Sequence, residues 1–551
     1  KIGEYLSPDT VLGGTMRRDI TDRLIEKKIT TVHLGGKIGF NLLNMDYSLF
    51  HSAAIRDYNS KISTFESEPF NFQIHNLNDI DVFVEALDPE IDIHDPGLIK
   101  DFRFHYHDHS INRGSNSSFK VNFSYPFLLS SNETTLKWGG KYRLLTNERS
   151  RINESYNIDR APEQEEDLFA RLMGTYEDQH FFNNRIRFGP GLSASKMNDF
   201  IQDNIHTFDK NEEATNRSSD LYSYSATENI YSGYAMFTMD AGSFDFISGL
   251  RMESSSVRYQ AKKVFDYNIP HPSTTRKIFH YLMPNVHINY RINNYSNARF
   301  AYTMAYTRPG FEKIVPFRFI DSENDMITAG NPDLSPANAH NFDFSYEKYL
   351  NNLGILSGNA FYKLIRDFHF SRIIPLTYEM ASLFQITEPT NWQFRREENG
   401  KSVHLYGIEI NIQKNISEIV KGFGIYANYS YTQSNAFTQY RRNISLPGQA
   451  NHVGNVAVIY DNKKFSCRIS LNYFGDYVLL IGEDKERDIY RKSRHQLDIN
   501  GFYKINDNLS LFAEFLNITN PPQVAYHGTP ERAYEVEYYG WWSRFGITFK
   551  F

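Results

Sequence analysis

The chain has 551 residues, a formal net charge of -6 and one cysteine, Cys467. That charge, with no basic run to offset it, excludes a nucleic-acid partner, and a single cysteine excludes an intrachain disulfide or a CxxC metal or redox motif. No stretch reaches the roughly 18 to 20 apolar residues that a spanning helix requires, so a helical membrane protein is excluded too.

Aromatic residues make up 15% of a chain whose mean hydropathy is -0.53. Many aromatics in a polar sequence suit an architecture that wears them on a thin apolar band and keeps its other surfaces wet. A transmembrane β-barrel has that composition. The opening KIGEYLSPDTVLGG has neither a basic n-region nor an apolar h-region, so it does not read as a signal peptide.

In chain order, the first strand is expected near Thr30. A long polar loop is expected from Tyr58 to Ser115, and within it FHYHDHS places His105, His107 and His109 at two-residue spacing. On an extended backbone the three imidazoles would share one face, a donor set that suits Zn, Cu, Ni or Fe; a solvated His-rich loop is the plainer reading. A second long loop runs from Ser150 to Asp220. Inside it EQEEDLFARLM, from Glu163, has the acidic start and apolar spacing of a short helix.

From there the alternation is regular. DAGS after Met239 is a turn; PNVHINYRI sets Pro284, Val286, Ile288, Tyr290 and Ile292 against Asn285, His287, Asn289 and Arg291; INNYSN turns the chain again. ARFAYTMAYT sets Phe300, Tyr302, Met304 and Tyr306 against Arg299, Ala301, Thr303 and Ala305. Such segments have the length a tilted strand needs to cross a bilayer. Arg308 follows at the base of a long loop, Thr307 to Ala337, where it could touch substrate or fasten the strand exit. YLNNLG is a further turn. The loop Pro375 to Gly400 holds NWQFRRE, whose Trp392, Arg395 and Arg396 could stack on a sugar or grip an anionic chelate; a solvated loop with an interfacial tryptophan is the plainer reading. FSCRISLNY alternates cleanly, with Cys467 as a small apolar member, and HQLDINGFY does the same; YDNKK and KINDN are turns. The closing WSRFGITFKF puts Phe545, Ile547, Phe549 and Phe551 on one face.

Short turns alternate with long loops, the asymmetry of an outer-membrane barrel with short periplasmic turns and long extracellular loops. About eight of each give about 17 strands between Thr30 and Phe551. An odd count places Lys1 outside the cell and predicts further strands upstream, about five if the complete barrel has 22.

The segment AGNPDLSPANAHNFDFSYEKY, Ala329 to Tyr349, resembles the conserved stretch of TonB-dependent outer-membrane receptors. YSATENIYSGYAM, FISGLRMESSSVRY, ARFAYTMAYTRPGF, LYGIEINIQKN, LPGQANHVGNVAVIY and LFAEFLNITN are similar to the same family in the same order. The resemblance implies a 22-stranded barrel filled by an N-terminal plug and residues 1–551 as the barrel portion. Neither a plug nor a TonB box is found in the sequence, a departure that puts energy coupling in question. It implies import of a scarce nutrient, a metal chelate, cobalamin or an oligosaccharide, driven through periplasmic TonB acting on an N-terminal box ahead of the plug. The partners implied are outer-membrane lipid, the small-molecule or oligosaccharide substrate and TonB, with a surface lipoprotein or other outer-membrane subunits as further candidates. No cofactor is implied, and no nucleophile motif, carboxylate pair or phosphate loop points to an enzyme. The alternative is a scaffold barrel in a larger outer-membrane complex that does not use energised transport; a passive porin would require an open lumen.

Overall fold

A computed structural model of the chain describes residues 4–7, 9–76, 83–158, 167–178, 189–212, 215–216, 219, 223–264, 270–315, 318–321, 325–350, 354–383, 386, 389–390 and 392–551. Its main body is an 18-stranded antiparallel sheet. One member, Asp209–Lys210, is a two-residue patch on the end of β4. The others follow one another up and down: β1 Arg17–Phe40, β2 Leu43–Ser67, β3 Ile99–Leu129, β4 Asn132–Asn157, β5 Tyr224–Ala241, β6 Phe244–Val264, β7 Pro270–Asn293, β8 Ser296–Thr307 and β9 Ala337–Leu350. Then come β10 Gly354–Arg366, β11 Ser402–Asn415, β12 Phe423–Phe437, β13 His452–Asp461, β14 Phe465–Phe474, β15 Arg494–Lys504, β16 Leu509–Leu516 and β17 Trp542–Phe549. The expected count of about 17 holds.

Registers between neighbours align the apolar parity of every strand on one face. Phe119 lies opposite Leu49, Met252 opposite Leu282, Phe344 opposite Phe300, Ile408 opposite Tyr431 and Leu471 opposite Val456. On β17, Phe545 and Ile547 keep 66% and 69% of their surface open. A continuous apolar face this large is stable only against hydrocarbon, and an extended backbone at membrane depth must find its hydrogen bonds in neighbouring strands, as it does here. The opposite face is a lattice of polar contacts. Arg299 meets Glu347 at 2.9 Å, Arg544 meets Glu514 at 2.7 Å, and Asn122 donates to Asp46 at 2.8 Å. The wall therefore has a lipid side and a wet, lumenal side.

At one end the connections are short. Asn41 (φ 55°) and Gly242 (φ 63°) supply the left-handed backbone that tight turns need. The expected turn YLNNLG has Asn351, Asn352 and Leu353 outside the described residues. At the other end the loops are stitched in pairs into three four-stranded sheets. Glu4–Ser7 and Thr10–Gly14 join Phe70–His75 and Phe83–Ala86, so the start of the chain lies at the long-loop end. Arg318–Asp321 and Met326–Ala329 join His369–Pro375 and Gln393–Asn399. Tyr477–Leu480 and Ile489–Arg491 join Gln523–His527 and Ala533–Glu537. Among the described residues, all four clusters of buried apolar side chains lie here rather than between the walls. Phe368, Val403, Leu405 and Ala436 form one; Val257, Tyr259, Ile314 and Leu334 form another, which seats the loop after β8 against the inner face.

Several expectations change. Tyr58 to Ser115 is not one loop, because β2 continues to Ser67 and β3 starts at Ile99; likewise β4 extends to Asn157. These strands reach 31 residues, far more than a bilayer needs. Above the membrane both faces are wet, so pairing continues while the apolar alternation stops. The connection between β6 and β7 is correspondingly short, residues 265–269, which lie outside the described residues, so loop length does not alternate without exception. Of the helix expected from Glu163, Leu168–Leu172 is helical and Glu163 to Glu166 fall outside the described residues. Tyr306 leaves the lipid face: β7 and β8 stop pairing at Asn285 and Thr303, and its ring then stacks on Tyr281 at 3.7 Å. Finally, β1 pairs only with β2 and β17 only with β16, so the two margins of the described ribbon are not zipped to each other.

Candidate functional site

The long-loop sheet that joins the loops after β8 and β10 builds a cavity at the mouth of the lumen. Thr328 pairs with Arg395 and Ala329 with Arg396 in parallel register, and Gln393–Asn399 also pairs antiparallel with His369–Pro375. On the side of the wall, Arg149 of β4 and Tyr224 of β5 are directly opposed and share the inner parity. Between these elements is a cavity of about 270 Å³. Arg149, Lys313, Arg395 and Arg396 contribute four cations to its lining, against the two carboxylates of Glu312 and Glu397.

These cations are positioned by different partners. Lys313 reaches Glu397 at 3.3 Å. Arg396 meets Glu398 at 3.1 Å, with its guanidinium 5.9 Å from the Phe394 ring centre. Arg395 donates from Nε to the Ser371 hydroxyl at 3.2 Å and makes no ion pair among the described residues. A half-buried guanidinium with donors left over is suited to a carboxylate or other oxyanion, which it can grip with two parallel hydrogen bonds.

The other residues singled out in the sequence sit elsewhere. Trp392 packs against the cluster of Ile327, Leu376, Ala381 and Phe394 and so anchors the small sheet. Arg308 pairs with Glu228 at 2.8 Å and Glu253 at 3.3 Å, two inward carboxylates of β5 and β6, and fastens the loop after β8 to the wall. His105, His107 and His109 stand on one face of β3, as their spacing implies, but it is the outer face. Each has its own partner on β2: Ser63 at 2.9 Å, Asn59 at 3.2 Å and Asp57 at 2.9 Å. Among the described residues no group of three or more His, Cys, Asp or Glu side chains could hold a metal ion. The sequence reading missed Arg149, Tyr224 and Lys313. They come from segments far apart in the chain, and only the inward parity of Arg149 carried any signal.

Below the mouth, a second cavity of about 830 Å³ lies against β5 to β9, with Asp245, Arg251, His287, Arg299 and Asp343 in its lining. Across the mouth, Arg441 bridges two loops by donating to both oxygens of the buried Asp488, at 2.6 and 2.9 Å. That carboxylate holds the guanidinium above the usual arginine range. Burial first, and then Asp488, pushes the neighbouring Tyr490 phenol up, and burial takes Tyr526 up to about 12. Arg441 and the buried Asp488 thus tie two loops of the long-loop end together by a doubly hydrogen-bonded pair.

An antiparallel meander with a lipid face, a polar lumen and a loop-built mouth defines an outer-membrane β-barrel receptor. The sequence over residues 46–518 matches the family model described as TonB dependent receptor-like, beta-barrel. The chain therefore belongs to the TonB-dependent receptor family and is an outer-membrane protein. A search of the curated proteins finds no match. Among solved structures the chain is similar to the ferric-catecholate import receptor Fiu from Escherichia coli K12, with 11% identity and a TM-score of 0.53, covering 99% of this chain and 78% of that one. It is also similar to the ferric citrate transporter FecA, with 10% identity, a TM-score of 0.52 and coverage of 95% and 70%. The ferripyoverdine receptor of Pseudomonas aeruginosa gives 11% identity, a TM-score of 0.50 and coverage of 98% and 69%. At these identities the likeness concerns the fold.

Proposed function

We propose that this chain is the barrel and the ligand-receiving mouth of an energised importer whose substrate is an anionic metal chelate. The observation that carries this reading is the cationic excess of the mouth cavity, where Arg395 and Arg396 face Arg149 and Lys313. The similar structures support it, since they are a ferric-catecholate import receptor, a ferric citrate transporter and a receptor bound to ferripyoverdine. The polar inner wall supports it as well: a surface of Arg, Asn, Asp and Glu side chains can exchange hydrogen bonds with a plug or with water at little cost, so modest force from TonB can rearrange the contact.

The test uses the full-length protein and three probes, ferric citrate, a ferric catecholate and a neutral oligosaccharide, with binding measured by calorimetry. A charge-assisted hydrogen bond contributes about 1.5 to 3 kcal/mol, or about tenfold to hundredfold in affinity. Arg395→Ala with Arg396→Ala should weaken one of the ferric chelates by at least that much and leave the oligosaccharide unaffected. Tight binding of the oligosaccharide alone would replace the anionic substrate with a neutral one. Chelate binding without TonB-dependent uptake in cells would favour the scaffold reading.

A further inference from the structure

The outer face of the β6–β7 hairpin carries an arrangement that neither the lumen nor the mouth explains. Arg258 of β6 and Arg276 of β7 are directly opposite one another in the register. Directly opposed like charges destabilise a sheet. Both side chains are exposed, whereas Val257 and Tyr259, on the other parity, are buried under the inward-folded loop. The two guanidiniums thus project from the barrel rather than into it. Arg276 donates to the Ser256 hydroxyl at 3.3 Å, and neither arginine has a carboxylate partner among the described residues. The outer parity of β5 from Ser225 to Met239, of β6 from Phe244 to Gln260 and of β7 from Thr274 to Ile292 contains no acidic residue. It supplies instead Thr227, Asn229, Ser254, Ser256 and His280.

The height of the pair is informative. Immediately below Arg276 on the same face is Ile278, 54% exposed, and below that Leu282, which faces Met252. Arg258 lies 14 residues above Phe244, at the short-turn end of β6. At about 3.4 Å per residue and a tilt near 45° that is about 34 Å, roughly 9 Å above an apolar band of about 25 Å. That is the level of the headgroups of the outer leaflet.

We propose that this patch is a docking site for a phosphate-bearing glycolipid of the outer leaflet, with Arg258 and Arg276 sharing one phosphate and the hydroxyl and amide groups beside them meeting the sugar. A bridging dianion converts the repulsion of the pair into two charge-assisted hydrogen bonds, and the acyl chains extend down the apolar face below. The neutral hydroxyl and amide groups around the arginines favour a lipid sugar over an acidic protein partner.

The experiment titrates bisphosphorylated lipid A into detergent micelles of the full-length protein, with retained lipid read by native mass spectrometry. The wild type should bind, the variant R258Q/R276Q should bind at least tenfold more weakly, and dephosphorylated lipid A should bind the wild type as weakly as the variant binds lipid A. Heat-shifted electrophoretic mobility confirms that the variant is folded; should it fail to fold, the single substitution R276Q is read in the same titration with the same expectation. Equal retention of lipid A by wild type and variant, or equal retention of the two lipids by the wild type, overturns the proposal. A patch that captures an acidic surface protein while ignoring both lipids overturns it too.

Discussion

Replacing Ile469 by arginine probes the division of the wall into a lipid side and a lumenal side. Ile469 lies on the outer parity of β14, 46% exposed, between Val458 of β13 and Ile499 of β15. It stands four residues above Phe465, where the strand leaves its short turn. At about 3.4 Å per residue and a tilt near 45° that is about 10 Å into an apolar band of about 25 Å, close to the midplane. An arginine on the lipid face at that depth costs about 2 to 4 kcal/mol, and near the interface about 0 to 1. Ser470, the next residue, faces the lumen with Asp498 opposite; there an arginine meets a carboxylate and water. Ile469→Arg should therefore shift the folding equilibrium by about thirtyfold to several hundredfold, Phe465→Arg by much less, and Ser470→Arg by almost nothing. Reversible denaturant unfolding of the full-length protein in lipid vesicles, followed by tryptophan fluorescence, gives all three values. Equal costs at 469 and 470, or a larger cost at 470, would refute the assignment of faces on which the barrel reading rests.

Asp488→Asn should loosen the rim without unfolding the barrel. Asp488 is 1% exposed and accepts two hydrogen bonds from Arg441 and one from the Gly482 amide, and breaking a buried pair costs about 3 to 5 kcal/mol. Hydrogen exchange should rise at residues 438–451 and 475–493 by a hundredfold or more while β13 to β15 stay protected; unchanged exchange in the loops would show that the pair does not hold them. His527, in the third small sheet, is held below the usual histidine range by burial first and by Arg532 second. Its neutral form stabilises the folded loop, so that contribution is complete above the unfolded value near 6.5 and is lost as pH falls from there toward the lower folded value. Protease cleavage between residues 517 and 541 should accordingly increase below about pH 6.5, and His527→Gln should remove the dependence.

What the sequence determined is the wall in its membrane-spanning part. Phe465, Cys467, Ile469, Leu471 and Tyr473 alternate with Ser466, Arg468, Ser470 and Asn472 because one side meets hydrocarbon and the other water, and that contrast is written residue by residue. The turns after Met239, Tyr290, Ile459 and Tyr503 were legible for a related reason, since tight reversals accept few residue types. Once both sides of a strand meet water the contrast disappears, and so the extensions of β2 to Ser67 and of β3 back to Ile99 read as loop. The histidine triplet shows the same limit: spacing put the three rings on one face, but only the register with Asp57, Asn59 and Ser63 decided which face it was. The mouth is a matter of tertiary structure throughout. Arg395 and Arg396 stood out beside Trp392, yet the tryptophan went to a core, on the parity it shares with Phe394 and Arg396, while both arginines reached a cavity whose other walls come from distant segments. Arg149, Lys313 and Arg395 became neighbours through the parallel pairing of Met326–Ala329 with Gln393–Asn399, a contact between loops that no local pattern encodes.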